Sequence, residues 1–130
     1  MNLDKLVNDW RANLKKPVRI EHPVTEQLCA VMDERELGAV RLVDAVIEVL
    51  GPERALELFY EADEALRERK PEAFCIREPG QLRTTGGLFI RLANAEPAAR
   101  IAMNRVRATM RRELRAAQAK WKAKGASAGH

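Results

Sequence analysis

An all-α fold, a compact multi-helix domain with a long basic C-terminal helix, is predicted by three features of this sequence. Ala, Leu, Glu and Arg dominate its 130 residues while aromatics make up only 5%, a bias toward helix over strand. Apolar residues recur at steps of three and four along most of the chain, and no segment alternates as a half-buried strand would. Gly, Pro and Thr fall where the apolar stripes break, as helix stop and start signals do.

The elements follow in order. Residues 3–14 put Leu3, Leu6, Val7, Trp10 and Leu14 on one helical face, with Asp4 near the start. Pro17 and Pro23 in the next stretch, KKPVRIEHPV, disfavour helix and mark a linker. Residues 1–24 are therefore expected as a helix and linker lying against a body over 25–96. Thr25 suits the N-cap of a short helix through Leu28, Cys29 and Met32, with a break near Asp33.

From about Glu34 to Leu50 one apolar stripe holds Leu37, Val40, Val43, Ile47 and Leu50, and a second holds Leu42, Val46 and Val49. A helix apolar on two sides is expected between neighbours, at the centre of the fold. Gly51 stops it and Pro52 opens the next, which runs to about Arg69 and buries Ala55, Leu58, Phe59, Ala62 and Leu66.

Residues 71–83, PEAFCIREPGQLR, read as an irregular connection. Pro79-Gly80 suits the two central positions of a type II turn, since glycine takes the positive φ needed at the second. Phe74, Ile76 and Leu82 are expected to anchor the loop to the core. Thr84 or Thr85 then caps a short helix with Leu88, Phe89 and Leu92 facing inward. After Pro97, residues 97–130 form a long helix to about Lys124 and a frayed GASAGH ending. Its stripe is Met103, Val106, Met110, Leu114, Ala117 and Trp121.

The net charge of +4 is unevenly laid out: residues 97–130 carry +8 and residues 1–96 carry −4. No hydrophobic run approaches the ~20 residues that span a bilayer, and the first ten residues lack the apolar core of a secretory signal. Cys29 and Cys75 are too few for a disulfide scaffold and lack metal-ligand spacing, so two reduced thiols in a cytoplasmic protein are expected. The two histidines, His22 and His130, supply neither a His-based triad nor a multi-His metal site. No catalytic residue, metal or cofactor is expected. The glutamates at 53, 57, 61, 64 and 68 form an acidic helical stripe at the spacing of a solvated face.

Chemistry concentrates in RTTGGLFIRL, residues 83–92. First-turn N–H groups lack helical acceptors, and the helix dipole adds positive potential there. Arg83 can grip a phosphate with its planar fork, Thr84 or Thr85 can donate a hydroxyl, and Gly86 and Gly87 let a phosphate or another backbone come close. The same glycines equally suit a tight junction in which they only permit close helix packing.

The stretch VIEVLGPERALELFYEADEALRE, followed by a loop and RTTGGLFIRL, resembles the RNA-binding domain of the phosphorylated adaptor for RNA export (PHAX) family. Leu50 and Gly51 match that family's helix ending, and Ala55, Leu56, Leu58 and Glu61 suit its Leu- and Glu-rich helix. Arg83, Thr84, Gly86, Gly87 and Phe89 match its Arg-Thr-Pro-Gly-Gly-Val-Phe signature, with Thr85 in place of proline and Leu88 in place of valine. The resemblance covers residues 25–94, about half the chain. It implies a helical module that binds single-stranded RNA with little sequence preference. The loop here is less basic than the family's, leaving Arg77 and Arg83 as its cations. An export-adaptor role is not implied.

Along the C-terminal helix Arg100, Arg107, Arg111, Arg112 and Arg115 sweep an arc beside the apolar stripe. That arc suits either solvent or phosphates, and Trp121 either packs in the stripe or stacks on a base. The function expected from these readings is non-enzymatic RNA binding through Arg77, Arg83, Thr84, Thr85, Gly86, Gly87, Arg91, Arg100, Arg107 and Arg111. The alternative is a protein-interaction or oligomerisation module that uses the amphipathic basic helix, with a second copy or another protein as partner and no membrane.

Overall fold

The computed structural model describes residues 2–128 of the chain, with side chains through Gly125. Among the described residues there are six α-helices: α1 (Leu3–Ala12), α2 (Pro23–Met32), α3 (Leu37–Leu50), α4 (Pro52–Arg67), α5 (Thr85–Ala93) and α6 (Pro97–Ala128). A 3-10 turn (Pro71–Ala73) and one isolated antiparallel bridge, Phe74 with Leu82, complete the regular structure of the described residues. The fold is all-α, as the composition and periodicity predict. Among the described residues no helix is long and apolar enough to cross a membrane.

α3 is the central helix, packed against α2, α4, α5 and most extensively α6. Its two apolar stripes explain this: Val40, Val43, Val46 and Ile47 are all buried, on faces turned toward different neighbours. Val49 of the second stripe is the exception and stays exposed. The stop at Gly51 falls as expected, with φ 85° that a side chain would strain, and Pro52 opens α4. α4 buries Ala55, Leu58, Ala62 and Ala65, and leaves Phe59 and Leu66 half-buried at the margin.

α1 starts at a real cap, the Asn2 side chain accepting from the Lys5 N–H at 3.2 Å. Its Trp10 is buried and donates its indole N–H to the Glu34 carbonyl at 2.6 Å, so the helix is keyed into the junction between α2 and α3. Arg11 pairs with Glu26 of α2 on the outside. One buried cluster draws on α1 (Val7, Trp10), on the residues of α2 to α5, and on α6 (Ala99, Met103). The segments 1–24, 25–96 and 97–130 thus share a single core.

Three local expectations are corrected. Thr25 is not the cap of α2: the helix begins at Pro23 after His22, and Thr25 lies in its first turn, fully buried. Its hydroxyl donates to Asp44 of α3 at 2.6 Å, and the same carboxylate accepts from the N–H groups of Glu21 and His22 at 3.2 and 3.3 Å. The helix expected from Glu34 begins only at Leu37, because Asp33 takes a left-handed φ of 54° and the Glu34 N–H turns back to the Cys29 carbonyl. Of the expected frayed ending, 125–128 continue α6, and Gly129 and His130 lie outside the described residues.

The linker is held a second time by His22, whose Nε2 contacts the Glu48 carboxylate of α3. This hydrogen bond, opposed by desolvation and helped by the charge of Asp44, raises the imidazole above its ordinary 6.5. A raised folded value means stability present below the unfolded pKa and lost as pH rises through the folded one. Thermal melts between about pH 5.5 and 8.5 are expected to show melting temperature falling with pH, and His22→Gln is expected to flatten that fall. A wild-type slope unchanged in the variant excludes the pair as its source.

α6 is fastened to α3 at two points. Gly38 leaves room for the Met110 sulfur, which would stand 3.3 Å from a β-carbon there. Arg41 grips Glu113 with two hydrogen bonds, 2.8 and 3.2 Å, holding that carboxyl below its ordinary range. Beyond this clasp every side chain from Arg111 to Gly125 is exposed, Leu114 and Trp121 included. The stripe drawn from the sequence is therefore buried only at its start, at Met103, with Val106 and Met110 half-buried.

Candidate nucleic-acid interface

The connection from α4 to α5 is a small hairpin rather than an irregular loop. The Cys75 N–H donates to the Gln81 carbonyl at 2.9 Å and the Arg83 N–H to the Ala73 carbonyl at 2.8 Å, across the Phe74–Leu82 bridge. At its tip the Gln81 N–H reaches the Glu78 carbonyl at 3.1 Å and Gly80 has φ 86°, the type II turn that Pro79-Gly80 predicts. The anchoring is corrected: Ile76 is 74% exposed and Leu82 is exposed, while fully buried Ala73 is the plug and Phe74 is half-buried.

α5 follows directly. Of the two threonines that could cap it, Thr84 does, its Oγ accepting from the Gly87 N–H at 3.0 Å. Leu88 and Phe89 are fully buried and fix the helix on α4 and α3. Residues 84, 87 and 91 are spaced three and four apart, so they share the face of α5 opposite that core.

Between this face and the hairpin lies a groove of about 630 Å³. Arg77, Arg83, Thr84, Gly87 and Arg91 line it, together with Cys75, Ile76, Glu78, Gln81 and Leu82. Five of the ten residues expected to bind RNA are thereby brought together, and three are arginines facing one acid. Arg83 is partly committed: its Nε donates to the Phe74 carbonyl at 3.1 Å, which holds the hairpin's base and leaves the two terminal nitrogens for a ligand.

The other five lie elsewhere. Gly86 is buried and does not line the groove. The Glu34 carboxylate occupies the space its side chain would need, 2.6 Å from a β-carbon position. Gly86 thus serves the close-packing reading, whereas the Gly87 N–H is taken by Thr84. Thr85 is half-buried outside the groove, and Arg100, Arg107 and Arg111 belong to α6. Arg107 bonds Asn104 one turn back at 3.1 Å.

Sequence reading missed that Ile76, Gln81 and Leu82 face the groove. Their signal is two apolar residues flanking a Pro-Gly turn, but a hairpin has two faces and apolar character alone does not choose between them. It also missed a second groove, about 410 Å³, where Lys15, Lys16 and Arg35 meet Glu36, Leu37 and Gly38. Both cysteines are free. Burial, with Glu34 and Asp44 nearby, pushes the Cys29 thiol far above its ordinary value, which makes it a poor nucleophile.

Comparison with known protein families, with curated proteins and with solved structures finds no match for this chain.

Proposed function

We propose that this chain is a non-enzymatic, cytoplasmic RNA-binding protein that holds single-stranded RNA, with little sequence preference, in the groove between α5 and the hairpin. The observation carrying this reading is the gathering of Arg77, Arg83 and Arg91 beside the Thr84 hydroxyl in one groove. Guanidinium forks bind phosphate oxygens in pairs, and their planes, like the apolar faces of Ile76 and Leu82, pack against unstacked bases of any identity. The resemblance of residues 25–94 to the PHAX-type RNA-binding domain supports the same reading. The arginines of α6 and the Lys15–Lys16–Arg35 groove extend the positive field.

The test is fluorescence anisotropy with a labelled single-stranded RNA across a salt series. Log affinity is expected to fall linearly with log salt, by about 0.7 per neutralised phosphate. Arg77→Glu with Arg91→Glu, both exposed, is expected to lower affinity at least about tenfold near 0.1 M salt with melting temperature unchanged. Arg83 is the poorer target, because it also ties down Phe74. Absence of binding at low salt, or full affinity in the double variant, refutes the groove. A second reading, assembly through α6, is favoured by the exposure of Leu114 and Trp121, 59% and 77%.

A further inference from the structure

Past the Arg41–Glu113 clasp, α6 presents a surface with two parts. Leu114, Ala117 and Trp121 recur at steps of three and four and continue the line of Met110, so they lie on one side of the helix. Arg111, Arg115 and Lys122 fall along one edge of that line at the same kind of spacing. The lone acid, Glu113, is already bonded to Arg41. Two bulky apolar side chains held in water beside an unneutralised basic row is an arrangement that a partner of opposite charge would cover.

The outer side of α4 has the matching form. Leu56 and Tyr60, one turn apart, are 40% and 64% exposed. Beside them run Glu53, Glu57, Glu64 and Glu68, the stripe that sequence alone reads as a solvated face. Some of these carboxylates have local cations: Glu57 meets Arg54 at 2.7 Å, and Lys70 stands 3.9 and 3.4 Å from Glu64 and Glu68. Arg54 is chiefly held by Glu96, at 2.5 Å. Asp63 and Arg67 continue the line of Leu56 and Tyr60 and pair with each other at 2.9 Å; five carboxylates thus meet Arg67, Lys70 and a share of Arg54, and the α4 face stays acidic with two apolar residues at its centre.

We infer that these surfaces belong together across two copies of the chain: the distal half of α6 in one copy lies on the outer face of α4 in another. Leu114 and Trp121 cover Leu56 and Tyr60, while Arg111, Arg115 and Lys122 run along the glutamate row. The contact joins two different patches, so it closes only if each copy gives its α6 and receives its partner's; otherwise it continues into chains. This contact deepens the assembly reading and uses no residue that lines the RNA groove, though Arg111 is also one of the α6 arginines that extend the groove's field.

The experiment is light-scattering mass measurement on the full chain over a range of concentrations at low and high salt. The wild type is expected to reach at least twice its monomer mass at low salt and to dissociate as salt is raised. Trp121→Ser on α6 and, separately, Tyr60→Lys on α4 are each expected to leave a monomer, and mixing the two variants is expected to restore a dimer through the one intact pairing. Glu57→Lys with Glu64→Lys is expected to abolish assembly and to regain it when combined with Arg115→Glu and Lys122→Glu. Circular dichroism and melting of each variant separate lost docking from lost folding. Three results overturn the inference: a monomer at every concentration, assembly that survives Tyr60→Lys (which makes α6 pair with itself), or a Trp121→Ser variant that keeps its assembled mass.

Discussion

Phe89→Ala is expected to destabilise the protein by about 3–5 kcal/mol, the range for truncating a fully buried aromatic. Phe89 has no exposed surface, and it lies on the short helix that carries one wall of the groove. α5 has nine residues, too few to persist without tertiary packing. The free energy that keeps Thr84, Gly87 and Arg91 in place therefore comes from Leu88 and Phe89 on the opposite side. Urea unfolding followed by far-UV circular dichroism measures the loss. Under the RNA-binding proposal, affinity for the labelled RNA is expected to fall in parallel with the folded fraction. A loss under about 1 kcal/mol would show that the site collapses around the cavity far better than buried aromatic sites do.

Asp44→Ala is expected to cost about 3 kcal/mol by a different route. Asp44 accepts from the Thr25 hydroxyl and from the N–H groups of Glu21 and His22. Removing it strands a hydroxyl with no access to water, and leaves the linker tied to α3 only by the His22–Glu48 contact. Truncation at both ends, Asp44→Ala with Thr25→Val, removes the stranded hydroxyl as well as its partner. The double variant should therefore lose less than the sum of the singles, and a double-mutant cycle reads the difference. Strict additivity would mean that Thr25 and Asp44 do not act as a pair.

What the sequence made legible was mostly local. Gly51-Pro52, the Pro79-Gly80 turn and the inward register of Leu88 and Phe89 depend on backbone preference and helical period, and all are present in the fold. Asp33 lies in the same class, as a break that φ records. The misplaced residues were set by distant partners. Thr25 looked like a cap because threonine caps helices, yet its partner Asp44 lies nineteen positions away on another helix. Gly86 suits either the approach of a ligand or close packing in the sequence, and Glu34, filling the space beside it from across the fold, decides for packing. Ile76 and Leu82 looked like anchors because they are apolar. No periodicity in an eleven-residue hairpin says which side faces the core, and Ala73 supplies the plug instead. The candidate site was therefore legible as a segment, residues 83–92 with Arg77 before it, and its membership only in part. Helical period groups 84, 87 and 91, but the position of Arg77 opposite them follows from hairpin pairing that no residue pattern announces.

The unbroken run of α6 also governs how the molecule moves through solution. Its 32 residues extend to roughly 48 Å at 1.5 Å per residue, whereas a compact chain of this length has a radius of gyration of about 14 Å. With every described side chain from Leu114 onward in solvent, a single copy is a rounded body with a rod attached, and friction on the rod slows its diffusion. Elution volume on a sizing column therefore overstates the mass of a monomer, and a lone copy can be mistaken for a pair. The same rod carries its basic side chains through a larger volume than the body alone could reach, and so spreads the positive field that any anionic molecule would meet.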